Sequence, residues 1–189
     1  MLRTSQILAA LCAMLLGLSA CATGTPPVAE ASIDAPSYRI GAGDRLKVTV
    51  FGEESLSNEY VVTSVGDIAF PLLGAIPVEG RTVEGSAAFL TQRLADGYLN
   101  DPRVSIEVLN YRPFYILGEV SNSGEFAYRA NLTATQAIAL AGGYSYRADK
   151  SKVFIRRAGE TEERTYILKA NQPVWVLPGD TVRIGERFL

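Results

Sequence analysis

Apolar residues form one long run near the start of this chain and short alternating stretches after it. The run extends from Ile7 to Leu18 and follows the positive charge of Arg3. It is too short to cross a bilayer, and a charged start before a short apolar centre is typical of a secretory signal. The pattern therefore predicts that residues 1–20 are a signal peptide that is cut from the mature protein.

Residues 38–110 alternate apolar and polar positions in short stretches, which is the pattern of half-buried strands. In the clearest stretch, Leu46, Val48 and Val50 alternate with Lys47 and Thr49. Further strands are expected at residues 59–63, 68–72, 76–78 and 104–108. This part of the chain should therefore form a small sheet.

One helix interrupts these strands. Thr82 is a suitable N-cap, and Asn100-Asp101-Pro102 is a suitable stop. Between them, apolar residues recur at helical spacing: Ala87, Leu90, Leu94 and Tyr98. The spacing predicts that this face, Tyr98 included, packs on the core.

Residues 111–189 again combine short strands with one helix. Thr133 and Gln136 can form a capping box for a helix that continues through Ala141, and Gly142 and Gly143 follow as its stop. Strands are expected at residues 153–156, 164–167, 174–177 and 182–184. The fold class predicted is α+β, with two small β-rich modules at residues 38–110 and 111–189.

Glycine-containing turns separate the predicted strands and helices in both modules. Gly43-Asp44 and Gly179-Asp180 each lead into an alternating strand, and an aspartate there can accept hydrogen bonds from nearby amides. Gly41 and Gly43 are not a dinucleotide fingerprint, because Leu46 stands where the third glycine is required. We interpret these and similar positions as structural turn residues: Gly41, Gly43, Asp44, Gly118, Gly142, Gly143, Pro178, Gly179 and Asp180.

The stretch between the signal and the first module, residues 22–36, is small and proline-rich and contains no aromatic residue. This composition suits a flexible tether. Fully extended, it would reach roughly 50 Å. Residues 21–37 are therefore predicted to be a linker that lets the folded part stand away from its attachment point.

The charge balance and the absence of histidine exclude several functions. A net charge of −2 argues against a nucleic-acid partner, and Arg156-Arg157, the densest basic spot, is interpreted as a solvated strand edge. Without histidine, the usual triads and zinc ligand sets are excluded. The remaining acids show no catalytic signature: Glu53, Glu54, Asp101, Glu162 and Glu163. We expect no catalytic residue, no metal and no cofactor.

Leu18-Ser19-Ala20-Cys21 resembles the lipobox of bacterial lipoproteins. The resemblance implies cleavage between Ala20 and Cys21 and acylation of the Cys21 sulfur, so that membrane lipid holds the mature chain. The resemblance also implies that Ala22, directly after Cys21, favours sorting of the lipoprotein to the outer membrane. Since Cys12 leaves with the signal, the mature chain would contain no disulfide. An unmodified cysteine in an uncleaved segment and a plain cleaved signal are the alternatives.

Residues 38–110 resemble the polysaccharide export domain of the Wza-like exporters of capsule and exopolysaccharide. Three motifs in the same order support this: Tyr38–Phe51, Gly66–Gly80 and Leu99–Val104. Residues 111–189 resemble the companion soluble-ligand-binding β-grasp (SLBB) module, through Phe114–Val120 and Gly124–Phe126. The expected architecture is thus an export-domain sheet with one helix, followed by a β-grasp module.

This resemblance implies transport without catalysis. Copies of the chain would form a ring-shaped homo-oligomer at the periplasmic side of the outer membrane, and polysaccharide would pass through its lumen. An inner-membrane polysaccharide co-polymerase would be a partner. The best-known members end in an amphipathic membrane-crossing helix, whereas this sequence ends at Leu189 soon after its last strand. We therefore expect either a separate outer-membrane β-barrel as partner or a ring confined to the periplasm.

Two other functions compete with export. The first is a monomeric, lipid-anchored glycan-binding or adhesive lipoprotein, and the second is a carboxylate-dependent glycan hydrolase. Five aromatic residues could stack on sugar rings in the first case: Tyr111, Tyr115, Tyr144, Tyr146 and Trp175. Packing in a core or at a subunit interface is the favoured role for each of them.

Overall fold

Two modules follow one another along the chain, and the computed structural model describes them within residues 26–187. Each module has its own buried apolar core, one centred on Leu46, Val48 and Leu90, the other on Phe114, Ile138 and Val182. The α+β class is confirmed. The signal peptide, its cleavage after Ala20 and the acylation of Cys21 lie outside the described residues.

The first module contains a three-stranded antiparallel sheet in the order β2-β1-β5 and a separate hairpin of β3 and β4. Its elements are β1 (Arg45–Val50), a 3-10 turn (Glu54–Leu56), β2 (Asn58–Val61), β3 (Asp67–Phe70), β4 (Gly74–Pro77), α1 (Val83–Ala95) and β5 (Val104–Asn110). The alternation read from the sequence decides the sheet's two faces, because Leu46, Val48 and Val50 are buried while Arg45 and Lys47 are exposed.

Helix α1 starts where the sequence indicates and ends one turn earlier than expected. The Thr82 side chain accepts a hydrogen bond from the Gly85 N–H at 3.0 Å, and Leu90 and Leu94 are buried. The helix ends at Ala95, and Gly97 has a φ of 87°. The chain therefore leaves the helical path before Tyr98, which is 50% exposed. The prediction that Tyr98 packs on the core was wrong.

The second module is a five-stranded sheet in the order β7-β6-β10-β8-β9, with one helix. Only the central pair, β6 and β10, is parallel. The elements are β6 (Phe114–Gly118), β7 (Gly124–Phe126), α2 (Ala134–Leu140), β8 (Lys152–Arg156), β9 (Arg164–Ile167) and β10 (Thr181–Ile184). Across the part of the chain that the structure describes, no helix is long and apolar enough to cross a membrane.

Local signals specify α2 at both ends. The capping box is present, with the Gln136 N–H donating to Thr133 Oγ1 at 3.3 Å and the Thr133 N–H donating to Gln136 Oε1 at 2.9 Å. Gly142 and Gly143 follow the helix with φ values of 80° and 89°. A side chain is strained in this left-handed region, so the pair of glycines turns the chain out of the helix.

The strand expected at residues 174–177 is not formed. Val174 and Val176 are buried in alternation, as the pattern predicts, but the segment contacts its neighbour only through a single bridge between Trp175 and Thr133. The Val176 N–H donates to the Leu132 carbonyl at 2.9 Å. The alternation thus reflects packing on the core under the start of α2 and not membership of the sheet.

Residues 26–32 lie against the second module, where the sequence predicted a free tether, and residues 27–29 pair with the edge strand β9. The Ala29 N–H donates to the Thr165 carbonyl at 2.8 Å, and the Thr165 N–H donates to the Pro27 carbonyl at 2.9 Å. Ala29 and Ala31 pack against the core of the second module. An edge strand offers unpaired backbone groups to any extended chain, and this segment supplies one. The tether prediction was therefore wrong for residues 26–32.

Candidate functional site

The two modules meet at the side chain of Arg112, which lies between β5 and β6. Its Nη1 donates to Asp44 Oδ2 at 3.2 Å, and its Nε donates to the Pro178 carbonyl at 3.0 Å. Its backbone N–H donates to Asp44 Oδ1 at 3.0 Å. One residue thus ties the turn before β1 to the turn before β10. We call this arrangement the joint: Arg112 with Gly41, Asp44, Pro178 and Gly179.

Asp44 is fully buried and accepts hydrogen bonds from several sides. Besides Arg112, the Gly41 N–H donates to Oδ2 at 2.6 Å, and the Tyr38 hydroxyl donates to the same oxygen. Burial, together with the hydrogen bond to Asp44, raises the pKa of the Tyr38 hydroxyl. A buried carboxylate is costly unless donors surround it, so these contacts allow Asp44 to lie inside the joint.

Two glycines make room for the guanidinium of Arg112. A Cβ on Gly41 would lie 1.8 Å from Arg112 Nη1, and a Cβ on Gly179 would lie 3.0 Å from Arg112 Nε. Gly179 also has a φ of 84°. The two glycines therefore allow the guanidinium to approach the backbone closely, and each comes from a different module.

The second Gly-Asp turn has its own arginine. Asp180 is buried and accepts from Arg157 Nη1 at 2.5 Å and from the Leu177 N–H at 2.7 Å. Arg157 also donates to the Trp175 carbonyl at 3.1 Å and lies over the Tyr166 ring. The interpretation of Arg157 as part of a solvated strand edge was wrong, because its side chain is only 19% exposed. Arg156 is exposed, as expected.

Burial and ion pairing shift the pKa values of Asp180 and Arg157 in opposite directions. Burial raises the pKa of Asp180 above its ordinary value, and the charge of Arg157 only partly offsets that rise. Burial alone would lower the pKa of Arg157, but Asp180 and Tyr166 raise it above its ordinary value. Arg157 therefore stays charged, and its buried charge would be strongly destabilising without the carboxylate of Asp180 beside it.

An aromatic cluster covers one side of the joint. The Tyr38 and Tyr111 ring centroids are 4.9 Å apart, and those of Tyr111 and Tyr128 are 5.4 Å apart, both edge to face. Tyr111 therefore packs between the modules. Of the other aromatic residues considered for sugar stacking, Trp175 donates its indole N–H to the Ser32 carbonyl at 3.0 Å, and Tyr146 is 90% exposed.

The outward face of the β2-β1-β5 sheet is polar. Lys47 lies opposite Glu59 on β2 and opposite Glu107 on β5, so that acid, base and acid alternate across the three strands. Arg45 forms an exposed ion pair with Glu59 at 3.5 Å. The sequence did not show which face of each strand would be polar and accessible, and the burial of Leu46, Val48 and Val50 decides this.

The structure brings some of the predicted turn residues together and separates the others. Gly41, Asp44, Pro178, Gly179 and Asp180 lie at or beside the joint. The remaining turn residues serve their own elements: Gly43 before β1, Gly118 at the end of β6, and Gly142 and Gly143 after α2. At Gly118 a Cβ would lie 2.1 Å from the Ile184 carbonyl oxygen.

The candidate catalytic acids lie on separate elements. Glu54 belongs to the 3-10 turn, Asp101 precedes β5, and Glu163 accepts a two-pronged hydrogen bond from Arg183 next to β9. Arg183 holds the pKa of Glu163 below its ordinary value through these hydrogen bonds. Within residues 26–187 no group of three or more metal-binding side chains comes together.

Sequence reasoning missed Arg112 and Arg157 as functional partners. One signal could have suggested that such partners exist, because two aspartates in turns that lead into buried strands need donors or a counter-charge. The sequence offers 18 basic residues, however, and no local pattern selects two of them. Arg112 lies 68 residues from Asp44.

Family models match both modules and divide the chain at the joint. Residues 32–109 match the model of polysaccharide biosynthesis/export proteins, and residues 113–167 match the SLBB domain. The first module therefore belongs to the polysaccharide biosynthesis/export family, and the second module is an SLBB domain. Arg112 lies between the two matched regions, so the joint connects two recognised domains. The family that the first module matches is described as polysaccharide biosynthesis/export proteins, which agrees with the expectation of transport without catalysis.

Curated relatives carry names that agree with this membership. The chain is 33% identical over 134 residues to the exopolysaccharide production protein ExoF of Rhizobium meliloti (strain 1021), covering 65% of this chain and 32% of ExoF. It is 31% identical over 185 residues to the EPS I polysaccharide export outer membrane protein EpsA of Ralstonia solanacearum, covering 81% of this chain and 49% of EpsA. The chain thus spans about a third of the length of ExoF and about half of the length of EpsA.

Proposed function

We propose that this protein is one subunit of a ring-shaped conduit through which a capsular or extracellular polysaccharide leaves the cell. No bond of the polymer is made or broken. The observation that carries this proposal is the joint, where Arg112 holds an export domain and an SLBB domain together through Asp44 and Pro178. A subunit built in this way would enter a ring as one unit and present the same faces in every copy.

The polar face of the β2-β1-β5 sheet is our candidate for the lining of the conduit. A polymer of sugars needs a surface that exchanges hydrogen bonds with its hydroxyl groups and releases them again. The alternating charges of Glu59, Lys47 and Glu107 supply such groups, and each already has an oppositely charged neighbour. Sugar hydroxyl groups would therefore find hydrogen-bond donors and acceptors on this face, and no unpaired charge would bind them tightly.

We propose that lipid on Cys21 attaches the protein to the outer membrane with the folded part in the periplasm. EpsA is named as an outer membrane protein, which supports this location. Residues 26–32 are held against the second module, so about five residues separate Cys21 from this segment, a distance of at most roughly 18 Å. The SLBB domain would thus lie close to the lipid.

The partners in this proposal are further copies of the chain and an inner-membrane polysaccharide co-polymerase. The first is tested by light scattering of the mature protein in detergent, where we expect a mass several times that of one chain. The second is tested by co-purification after crosslinking in cells. A strictly monomeric protein in detergent would contradict the ring.

The central test is deletion of the gene, followed by measurement of surface polysaccharide and of polymer length. We expect export to be lost and to return when the wild-type gene is supplied. Arg112→Met should restore export poorly, because it opens the joint, whereas Arg93→Met on the exposed side of α1 in the same module should restore it. Normal export and normal polymer length in the deletion strain would refute the assignment.

A monomeric glycan-binding lipoprotein is the second candidate function. The observation in its favour is the exposure of Tyr146, which is 90% exposed and therefore accessible for stacking on a sugar. Such a protein would bind polysaccharide at the surface without affecting its export. Deletion would then reduce attachment of the polymer and leave the secreted amount unchanged.

A further inference from the structure

A groove of about 410 Å³ lies beside the joint, where residues of both modules meet. Its volume is within the range of small-molecule sites, and boundaries between domains are common places for such sites. Four of its lining residues are arginines, two from around the joint and two from its rim: Arg112, Arg157, Arg39 and Arg164. We call it the arginine groove.

The two inner arginines are held in fixed positions. Arg112 is tied to Asp44 and to the Pro178 carbonyl, and its side chain is only 25% exposed. Arg157 is tied to Asp180 and to the Trp175 carbonyl. These bonds use some of the five N–H donors of each guanidinium, so that others are left for a ligand. A ligand would meet donors that are already ordered.

The two outer arginines are more accessible. Arg39 donates from Nη1 to the Gly80 carbonyl at 2.6 Å, a contact that leaves its charge uncompensated by that partner. Arg164 pairs with Glu160 at 3.0 Å on the exposed rim. Only two acids line the groove, Glu160 and Asp180. Positive charge is therefore in excess there, even when Asp44 behind Arg112 is counted.

We propose that the arginine groove binds the carboxylate of an acidic sugar residue in the exported polymer, an inference that rests on the proposed function. A guanidinium matches the planar, two-oxygen geometry of a carboxylate. The ring of Tyr38, which also lines the groove, offers an apolar surface for the sugar beside it. The chain as a whole carries a net charge of −2, so this local excess of positive charge is a property of the groove.

Binding would be weak and salt-dependent. Arg39 and Arg164 are exposed, so counter-ions screen their attraction for an anion. A passing polymer must also be released, which requires short-lived contacts. We expect affinity for a short acidic oligosaccharide in the millimolar range or just below it, corresponding to about 4–5 kcal/mol.

The experiment is a calorimetric titration of the full mature protein in detergent with a galacturonic acid hexamer and, separately, with maltohexaose, which has no carboxylate. We expect the acidic hexamer to bind and the neutral one not to bind. The variant with Arg39→Gln and Arg164→Gln should lower the affinity roughly tenfold, because each change removes a charged donor. Neither change touches the joint or the buried Asp180 pair, so the fold should persist, and a thermal melt checks this.

A matched control carries Arg93→Gln and Arg147→Gln, which remove the same charge from exposed positions outside the groove and outside the polar sheet face. We expect its affinity to change less than about twofold, the size of an exposed charge effect. Equal binding of maltohexaose, or an equal loss in the control, would overturn the proposal. Competition by inorganic phosphate at lower concentration than galacturonic acid monomer would also overturn it, in favour of a phosphate-bearing ligand.

The two proposals fail separately. Normal export in the deletion strain would refute the conduit, whatever the titration shows. Loss of export in that strain combined with no carboxylate-dependent binding would refute the arginine groove alone. Full support requires loss of export on deletion and weaker hexamer binding in the variant of Arg39 and Arg164 than in the control.

Discussion

The two Gly-Asp turns of this molecule begin in the same way and are used differently. Each buries its aspartate and pairs it with an arginine. Asp180 takes its arginine from 23 residues away within the same module, whereas Asp44 takes Arg112 from 68 residues away, at the start of the next module. One turn therefore closes a domain, and the other connects two domains.

The position of the counter-charge, and not the Gly-Asp turn itself, decides whether a turn closes one domain or connects two. Both turns could be stable as local structures, because each aspartate also accepts from a backbone N–H three residues before it, Gly41 or Leu177. The arginine adds the long-range connection. For this reason we expect changes at Asp180 to act on one domain and changes at Arg112 to act between domains.

The largest expected effect comes from Asp180→Ala. The substitution leaves Arg157 charged and mostly buried without its partner, and breaking such a pair costs about 3–5 kcal/mol. The single tryptophan, Trp175, lies in the second domain and reports on its unfolding by fluorescence. Urea titration of the variant should show a large fall in the free energy of unfolding.

A second substitution distinguishes loss of the partner from loss of packing. The pair Asp180→Ala with Arg157→Met should be more stable than Asp180→Ala alone, because no unpaired charge remains. If both proteins lose the same stability, the unpaired charge of Arg157 does not explain the effect, and the ion pair of Asp180 does not stabilise this turn.

Arg112→Met should have the next largest effect, about 2–3 kcal/mol, since it removes two hydrogen bonds, one of them to a buried carboxylate. Its signature differs from that of Asp180→Ala. We expect Trp175 fluorescence and far-ultraviolet circular dichroism to follow separate transitions, because the domains no longer unfold together. Arg45→Met is the control and should keep the two transitions coincident.

Ala29→Pro tests whether the docked segment belongs to the second domain alone. Proline has no N–H to donate to the Thr165 carbonyl, so we expect a loss of about 1 kcal/mol. Hydrogen exchange of the Thr165 N–H should become faster, while amides of β1 keep their protection. Glu30→Pro is the control, because the Glu30 N–H has no backbone acceptor among the described residues. Unchanged exchange at Thr165 in the Ala29 variant would contradict the docking.

The smallest effect concerns the more exposed pair of Glu163 and Arg183, which contrasts with the buried pair of Asp180. The pKa of Glu163 is lowered in the folded state, so its stabilisation is present above the ordinary value of 4.5 and is lost as the pH falls through the lowered value. Glu163→Gln should cost about 0.5–1 kcal/mol at neutral pH, and this cost should shrink as the pH falls through the lowered pKa of Glu163. A pH-independent cost would show that packing, not charge, is responsible.

Local patterns were sufficient to predict much of the fold. Strand β1 follows directly from the alternation of Leu46, Val48 and Val50, and β9 has the bounds expected for it, Arg164–Ile167. The capping box of Thr133 and Gln136 fixes the start of α2. These signals succeed because each involves residues close together in the sequence, where backbone geometry alone decides which groups meet.

Contacts between distant residues were not predictable in this way. The site depends on Arg112 and Arg157, whose partners lie 68 and 23 residues away. The docked segment depends on an edge strand whose free backbone groups attract any extended chain, so its composition alone suggested a linker. Tyr98 was misplaced because Gly97, one residue earlier, was not recognised as the end of the helix.

The docking of residues 26–32 on β9 also fixes an order of events during biogenesis. Thr165, which receives this segment, lies 139 residues after Pro26 in the sequence. A chain that is made from its amino end must leave this segment without its partner on β9 until most of the protein has been synthesised. If the protein is exported as we propose, Cys21 would therefore be presented for acylation before residues 26–32 dock on the second domain.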